Sequence, residues 1–335
     1  MDDRRPGLDP AVAEVRLAVR AALAGLAEGS TVVVALSGGA DSLALTAATA
    51  FEAPKRGVAV ASVTVDHGLQ EGSADAAAAA AAQARHLGIE AKVVRVEVGA
   101  DGGPEAAARS ARYPALRDAA SALGAAAIMT GHTLDDQAET VLLGLARGAG
   151  AASLQGMSPA GELDGVALVR PLLGVRRPTT RAACAAEGLV PWDDPHNSEL
   201  RFARVRVREA VLPVLEAELG PGIAEALART AAQLREDAEA FDEMIEETIE
   251  DIVEHVEAGI SVSVGALAAN PAALRHRIIR HVVASEFHES LSRTQTLEVA
   301  RLVTDWSGQG PIDLPGCRAR RVGGRVEFTA RRVDG

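Results

Sequence analysis

The chain has 335 residues, 48% apolar but only 2% aromatic, which is enough for two domains whose cores are filled by Leu, Val, Ile and Ala. No run of roughly 18 apolar residues is present and the opening MDDRRPGLDP is unlike a signal peptide, so neither a membrane-spanning helix nor secretion is expected. The two cysteines, Cys184 and Cys317, form no CxxC, zinc spacing or disulfide framework, which points to a reducing cytoplasm, while a net charge of −12 counts at first sight against a nucleic-acid partner.

From residue 9 to about 190, β-branched runs alternate with alanine-rich stretches. Strands are predicted at 31–36, 58–65, 91–98, 126–131 and 166–173, and helices near 41–53, 73–87, 105–123, 135–147 and 176–187. Near-continuous apolar strands separated by helices predict an α/β fold, a doubly wound parallel sheet of Rossmann type with ligands at the carboxyl ends of the strands. After Pro213 the pattern changes, so the first domain is drawn at 1–212 and the second at 213–335. The second is mainly helical, with helices over 222–257, 271–287 and 292–305, a short strand ISVSV and a β-rich C-terminus. The first of these helices has an apolar stripe of Leu227, Leu234, Phe241, Ile245, Ile249 and Ile252. Between Glu236 and Glu257 lie eleven carboxylates and no Lys or Arg, a segment read as a solvated face. By contrast, residues 170–208 hold eight arginines against four acids, and the tail from Arg318 to Arg332 is basic again. Local charge is therefore more informative than the sum.

Four segments carry candidate chemistry. The first, SGGADS (37–42), follows a strand and opens a helix, the setting in which backbone N–H groups cradle an anion. It has neither the lysine of a Walker A loop nor the spacing of GxGxxG. Asp41 would repel phosphate unless a cation lay between them, which suggests Mg²⁺ bridging to a polyphosphate; Asp41 and Ser42 also suit an ordinary helix start. The second, GHTLDDQAET (131–140), brings Asp135, Asp136 and Glu139 to one helical turn, a crowding that asks for a second Mg²⁺ or an ammonium group. Thr133 and Asp136 fit a capping box, which accounts for the first two acids but not for Glu139. His132 reads equally as a strand-end histidine or a catalytic one. The third, ARSARY (108–113), places Arg109 and Arg112 one turn apart, suited to a pyrophosphate or a nucleic-acid phosphate, or simply to the surface. In the fourth, 192–216, Arg201, Arg204 and Arg208 share a face if the segment is helical and Arg206 stands between them, a basic stripe suited to phosphate contacts, or a solvated helix face beside the acidic helix, which could pair with it.

SGGxDS after a first strand resembles the pyrophosphate-loop ATPases. With VDHGLQEGS (65–73), ARSARY, GHTLDDQAET, RPLL (170–173), DDPHN followed by RVRVR, and LPG (314–316), the chain resembles the tRNA(Ile)-lysidine synthetase family, over residues 30–215 above all. The resemblance implies an adenine-nucleotide α-hydrolase-like fold and a cytoplasmic enzyme. Its partners are isoleucine tRNA bearing the anticodon CAU and free L-lysine, with ATP and Mg²⁺ required; a homodimer is left open. The implied reaction adenylates O2 of the wobble cytosine, after which the lysine ε-amine attacks C2 and AMP leaves.

Carried onto this chain, the resemblance implies ATP binding by Ser37, Gly38, Gly39, Ala40, Asp41, Ser42, Asp66, His67, Gly131 and His132, with Mg²⁺ on Asp41. It implies catalysis by Asp41, Arg109, Arg112, Asp136 and Glu139, lysine binding by Asp136 and Glu139, and tRNA binding by Arg201, Arg204, Arg206 and Arg208. The family often has RNRIR where this chain has RVRVR, so a contact made by asparagine is lost at Val205. The chain ends soon after LPG, which implies a smaller tRNA surface. Among alternatives, a tRNA thiolase is disfavoured because Cys184 and Cys317 stand alone, and an amidotransferase-linked synthetase because no glutaminase segment is seen. A non-catalytic nucleotide or tRNA binder would not need both SGGADS and DDQAET.

Overall fold

The structure, a computed structural model, describes residues 7–68, 72–96, 104–148, 150–195, 199–256 and 259–331, with the side chains of 104–109 outside that description. It divides into two compact units, one ending at Leu234 and the other starting at Arg235.

The first unit opens with α1 (Pro10–Ala22), a helix absent from the sequence-based candidates. Its start is local chemistry: Pro10 occupies the first helical position and the Asp9 carboxylate accepts from the N–H groups of Ala11 (2.8 Å) and Val12 (3.4 Å). There follow β1 (Thr31–Ala35), α2 (Ala40–Glu52), β2 (Ala59–Asp66), α3 (Ser73–His86), β3 (Glu90–Arg95), α4 (Pro104–Ala122), β4 (Ala127–Thr130) and α5 (Leu134–Ala146). The short α6 (Gly150–Leu154), β5 (Ala160–Leu163), β6 (Val166–Val169) and α7 (Arg177–Ala186) complete the sheet and its cover. All five expected helices and all five expected strands form, within a few residues of their expected bounds except at the end of β6. That strand stops at Val169 instead of Leu173, because Pro171 cannot donate to the ladder and the chain turns there. The last residues expected for β3, 97 and 98, lie outside the described residues.

The strands lie in the order β3-β2-β1-β4-β6-β5. Every pairing is parallel except that of β5, which forms an antiparallel edge with β6 and was not expected from the sequence. The apolar run of β1 is continuous because both faces are covered: Val32 and Val34 pack with α1, α2 and α7, while Val33 packs with Leu116, Ala119 and Ala120 of α4. The strand order reverses between β1 and β4, so the loops at 37–39 and 131–133 flank the crevice where such sheets bind ligands.

Beyond the sheet, α8 (Ala203–Arg206) runs through a π-helical turn at Val207–Val211 into α9 (Leu212–Leu219). The long α10 (Ile223–Ile252) crosses the division between the units. It is shorter than the 222–257 expected, since Val253–Val256 leaves it to become β7, paired antiparallel with β8 (Gly259–Ser263). The second unit continues with α11 (Val264–Ala269), α12 (Ala272–Phe287), α13 (Arg293–Thr304), β9 (Ile312–Asp313), β10 (Cys317–Val322) and β11 (Arg325–Ala330). Its five strands form an antiparallel sheet, β7-β8-β11-β10-β9, whose core holds Phe328, Val326 and Ala319 beside Ile245, Ile278 and Val299. All ten acids from Glu236 to Glu254 are exposed, as a solvated face requires. Among the described residues, no helix is long and apolar enough to cross a membrane.

One buried carboxylate ties α1 to α2. Glu52, with 2% of its side chain exposed, accepts from Arg20 Nε and Nη2 and from Lys55 Nζ, each at 3.0 Å. The Arg20 hydrogen bonds outweigh burial and, with Lys55, hold its carboxyl down to about 2 from an ordinary 4.5. A lowered folded-state value stabilises the protein above the ordinary carboxylate range and ceases to do so as pH falls through the folded value. Wild-type protein should therefore be more stable than Glu52→Gln at pH 7, with the gap closing between pH 4.5 and about 2 in denaturant melts.

Candidate functional site

Two loops at the switch point build the site. In the first, β1 ends and Ser37-Gly38-Gly39 leads into α2. Gly38 adopts φ +87°, and a Cβ there would also press on Ala80 Cβ at 3.3 Å, so the position requires glycine. Gly38 O accepts from Trp192 N at 2.9 Å, which ties the loop to the segment before DDPHN. Ser42 Oγ donates to Gly39 O at 2.9 Å and lies 3.2 Å from Ser37 N and 3.1 Å from Ser37 Oγ, so both hydroxyls brace the loop. No side chain caps α2, which leaves its first-turn N–H groups without an intrahelical acceptor and open to an anion.

The second loop carries Gly131, His132 and Thr133 from β4 into α5. A Cβ on Gly131 would stand 3.0 Å from Asp41 C, Asp41 O and Ser42 N. Glycine is needed here so that β4 can approach the first turn of α2, a packing reason that the sequence reading did not supply. Thr130 Oγ1 and His132 Nδ1 are 2.9 Å apart. Thr133 N and Oγ1 donate to Asp136 Oδ2 at 2.8 and 2.9 Å, which realises the reciprocal half of the expected capping box.

The three crowded acids are balanced by arginines of this same chain. Arg177, at the start of α7, reaches Asp136 Oδ1 (2.8 Å), Glu139 Oε1 (3.1 Å) and Asp41 Oδ2 (3.5 Å). Its backbone N–H donates to Asp135 Oδ2 at 2.7 Å, so Asp135 serves as the anion at the N-terminus of α7, and Arg176 pairs with it as well. Glu139 is fully buried and accepts from Arg208 Nε (2.7 Å) and Nη2 (3.1 Å) in addition to Arg177. Arg204 Nε lies 3.2 Å from Glu139 Oε2 without hydrogen-bond alignment, while its Nη2 donates to Thr140 Oγ1 at 2.6 Å.

These contacts correct the expectation of one basic stripe at 201–208. Arg204 and Arg208 turn inward to Glu139. Arg206 is exposed but donates to the Leu200 and Arg201 carbonyls at 2.8 Å, and exposed Arg201 pairs with Glu199. The valines of RVRVR face the core, Val205 being 6% exposed, so an apolar residue at that position is what this packing accepts.

Burial and the neighbouring charges set the protonation of the carboxylates. Asp41 lies above its ordinary value, chiefly through burial and partly through the Asp136 charge; a hydrogen bond from Thr180 and the Arg177 charge oppose the rise. Burial also pushes Asp136 up, but Arg177, the Thr133 N–H, His132 and Arg204 outweigh it and the carboxyl lies below its ordinary value. Asp66 is 5% exposed and accepts from Gly68 N at 3.0 Å, so its carboxylate is engaged in holding its own turn. His67 is held below its ordinary value by burial and then by the Arg112 charge, against Asp66 and Asp194, and its buried Nδ1 has no partner among the described residues. Arg112 is half-buried on α4; the Arg109 side chain lies outside the described residues. Cys184 donates to Ala40 O at 3.2 Å and burial pushes its thiol up to about 12; Cys317 is pushed up to about 11, so neither is a ready nucleophile.

Sequence reasoning missed Arg177 and Thr180, both in direct contact with Asp41. The available signal was the run Arg176-Arg177-Pro178 directly after RPLL, where a proline-started helix places the basic pair at its head.

Comparison with known proteins places this geometry in context. The PP-loop domain family matches residues 13–215, and the TilS substrate binding domain matches 263–327. The chain is 59% identical over 305 residues to a tRNA(Ile)-lysidine synthase of Leifsonia xyli subsp. xyli, covering 90% of this chain and 91% of that one. Identity is 53% over 325 residues with the tRNA(Ile)-lysidine synthase of Salinispora tropica, covering 95% and 96%. Among solved structures, the U34-tRNA thiolase NcsA of Methanococcus maripaludis, with its [4Fe-4S] cluster, superposes with a TM-score of 0.58 at 21% identity, covering 68% of this chain and 79% of that one; the likeness is one of fold.

Two substitutions test the geometry. Gly131→Ala drives a methyl against the α2 backbone, and we expect roughly 1–3 kcal/mol of destabilisation with weakened ATP binding, measured by thermal melting and nucleotide titration. Glu139→Gln leaves three guanidinium groups without their shared counter-charge; denaturant unfolding should show a loss of about 3 kcal/mol, and a loss below about 1 kcal/mol would mean that solvent already screens them.

Proposed function

This chain belongs to the tRNA(Ile)-lysidine synthase family, and we propose that it joins lysine to C2 of the wobble cytidine of CAU-anticodon isoleucine tRNA. It is a ligase-type, ATP-using enzyme of tRNA modification. The observation that carries the finer reading is the meeting, at one switch point, of an uncapped anion loop bearing Asp41 with a carboxylate seat matched to cations.

In this reading the phosphates of ATP lie against the N–H groups of Gly38, Gly39, Ala40 and Asp41 and the hydroxyls of Ser37 and Ser42. A single carboxylate beside substrate phosphates is a common way for proteins to hold Mg²⁺, and Asp41 fits it, since burial and the Asp136 charge both press for a cation there. When bound, Mg²⁺ would neutralise charge on the departing pyrophosphate. Asp66, His67, Gly131 and His132 border the place assigned to adenosine, and the open Nδ1 of His67 supports a polar contact there. Arg109 and Arg112 stabilise negative charge as cytosine O2 attacks the α-phosphorus and pyrophosphate leaves.

Free lysine then reaches Asp136 and Glu139 by exchange with guanidinium groups. Arg208 and Arg204, with 23% and 26% of their side chains exposed, are better placed to withdraw than Arg177 at 15%. The ε-amine, with an ordinary pKa of about 10.4, must lose a proton before attacking C2, and a carboxylate of this cluster accepts it as AMP leaves. Residues 1–212 carry the chemistry and 213–335 engage the tRNA, to which the exposed Arg201 and Arg206 add contacts, while the acidic face of α10 repels its backbone.

The test is incubation with ATP, Mg²⁺, radiolabelled lysine and an unmodified CAU transcript. We expect ATP-dependent label in the tRNA, abolished by Asp41→Ala and reduced at least about 100-fold by Glu139→Gln. ATP turnover to AMP stimulated by tRNA without label would refute lysine as the nucleophile.

A further inference from the structure

We propose that the outer face of α12 and the first turn of α13 form a phosphate-binding site for the backbone of the RNA substrate. The proposal rests on the tRNA-modifying reading above and assigns residues to the substrate contact. Inward, α12 buries Leu274, Ile278, Ile279, Val282 and Val283. Its other side carries His276, Arg277, Arg280 and His281, with no acid on the helix before Glu286, while Arg275 falls within the inward arc. Arg293 opens α13, the end of a helix at which a cation is least favoured.

Arg275 is engaged internally, donating to Leu267 O (3.3 Å) and Asn270 O (3.4 Å). The guanidinium carbon of Arg277 lies 4.5 Å from the centre of the Phe241 ring. Among the described residues, no carboxylate pairs with His276, Arg277, Arg280 or Arg293, and Arg280 and Arg293 are exposed. On α12, Arg280 stands three and four residues after Arg277 and His276, spacings at which side chains on a helix are neighbours. Partial loss of hydration against neighbouring atoms first, and then the charges of Arg277 and Arg293, hold Arg280 below its ordinary value even though its side chain reaches solvent. His276 is held down by burial and by Arg275, Arg280 and Arg293.

The rest of the same unit shows the contrast. On its sheet, Arg318 pairs with Asp313 (2.8 Å), Arg320 with Glu327 (2.8 Å) and Arg325 with Glu254 (2.9 Å). A chain of net charge −12, with ten exposed acids from Glu236 to Glu254, has carboxylates to spare, yet among the described residues none pairs with His276, Arg277, Arg280 or Arg293. An arrangement of unpaired, mutually repelling guanidinium groups suits a polyanion from outside, and their forked donors match phosphate oxygens. All four residues fall within the segment matching the substrate binding domain. RNA is therefore the occupant, in preference to the acidic face of a second copy.

Filter binding of the full chain to the CAU transcript across a salt series tests this, comparing wild type with Arg280→Ala/Arg293→Ala and Arg280→Lys/Arg293→Lys. The alanine pair should weaken binding roughly tenfold at low salt and reduce the slope of log K against log salt by about 2, while the lysine pair retains most of the slope. Its thermal midpoint should stay level or rise, because a repulsion has been removed, which separates loss of contact from loss of fold. Unchanged affinity and slope in an alanine variant of an enzyme that still modifies the transcript would overturn the site and leave the functional reading standing. A wild type that neither binds nor modifies the transcript would overturn both. A change of oligomeric state in the alanine pair, with RNA affinity unchanged, would assign the face to a second copy instead.

Discussion

A carboxylate with no exposed surface lies on α5, one turn into the helix that follows β4, and its charge must be met inside the protein. Burying an unpaired ion costs several kcal/mol, a large share of the roughly 5–15 kcal/mol by which a domain is stable. Glu139 of α5 meets this demand with Arg177 from α7 and with Arg204 and Arg208 from the segment that follows. The pairing joins stretches of chain that lie about 40 and 70 residues away in sequence. Asp135 acts in the same direction by taking the N-terminal N–H of α7. The crevice beside β4 is thus spanned by ion pairs as well as by apolar packing.

The anion loop depends on that arrangement. Asp41 points back toward Arg177 and Thr180, so the carboxylate beside the open amides of α2 is kept in place by the same helix that satisfies Glu139. Two glycines permit the approach, Gly38 through a left-handed conformation and Gly131 through the absence of a side chain against the α2 backbone. Arg177 therefore links the anion loop to the acids of α5, so that Asp41, Asp136 and Glu139 belong to one network.

Charge is segregated along the chain for different physical ends. The acids from Glu236 to Glu254 face solvent, where the cost of like charges is screened. Those of α5 face inward and are matched by guanidinium groups. On the outer face of α12 and at the head of α13 the imbalance is reversed, with His276, Arg277, Arg280 and Arg293 unmatched by any carboxylate among the described residues of a protein that is acidic as a whole. A net charge of −12 averages over these three regimes and describes none of them.

The periodic features were legible in the sequence. Continuous β-branched runs marked the parallel strands, alanine-rich stretches marked the helices, and the position of SGGADS between strand and helix marked the anion loop, because these depend on neighbours a few residues apart. Asp9-Pro10 was a readable start for α1 that went unused, and Val253–Val256 looked helical until its pairing with β8 decided otherwise. What the sequence by itself determined was the sheet, its switch-point loops and the acids gathered on one turn of α5. Only the tertiary structure decided which cations answer those acids. Arg204 and Arg208 read as an outer stripe by helical spacing, and Arg177 was not singled out at all. Spacing along a helix establishes which side chains share a face, but the direction that face takes is set by burial of Val205 and Val207 and by a buried Glu139 that must be paired.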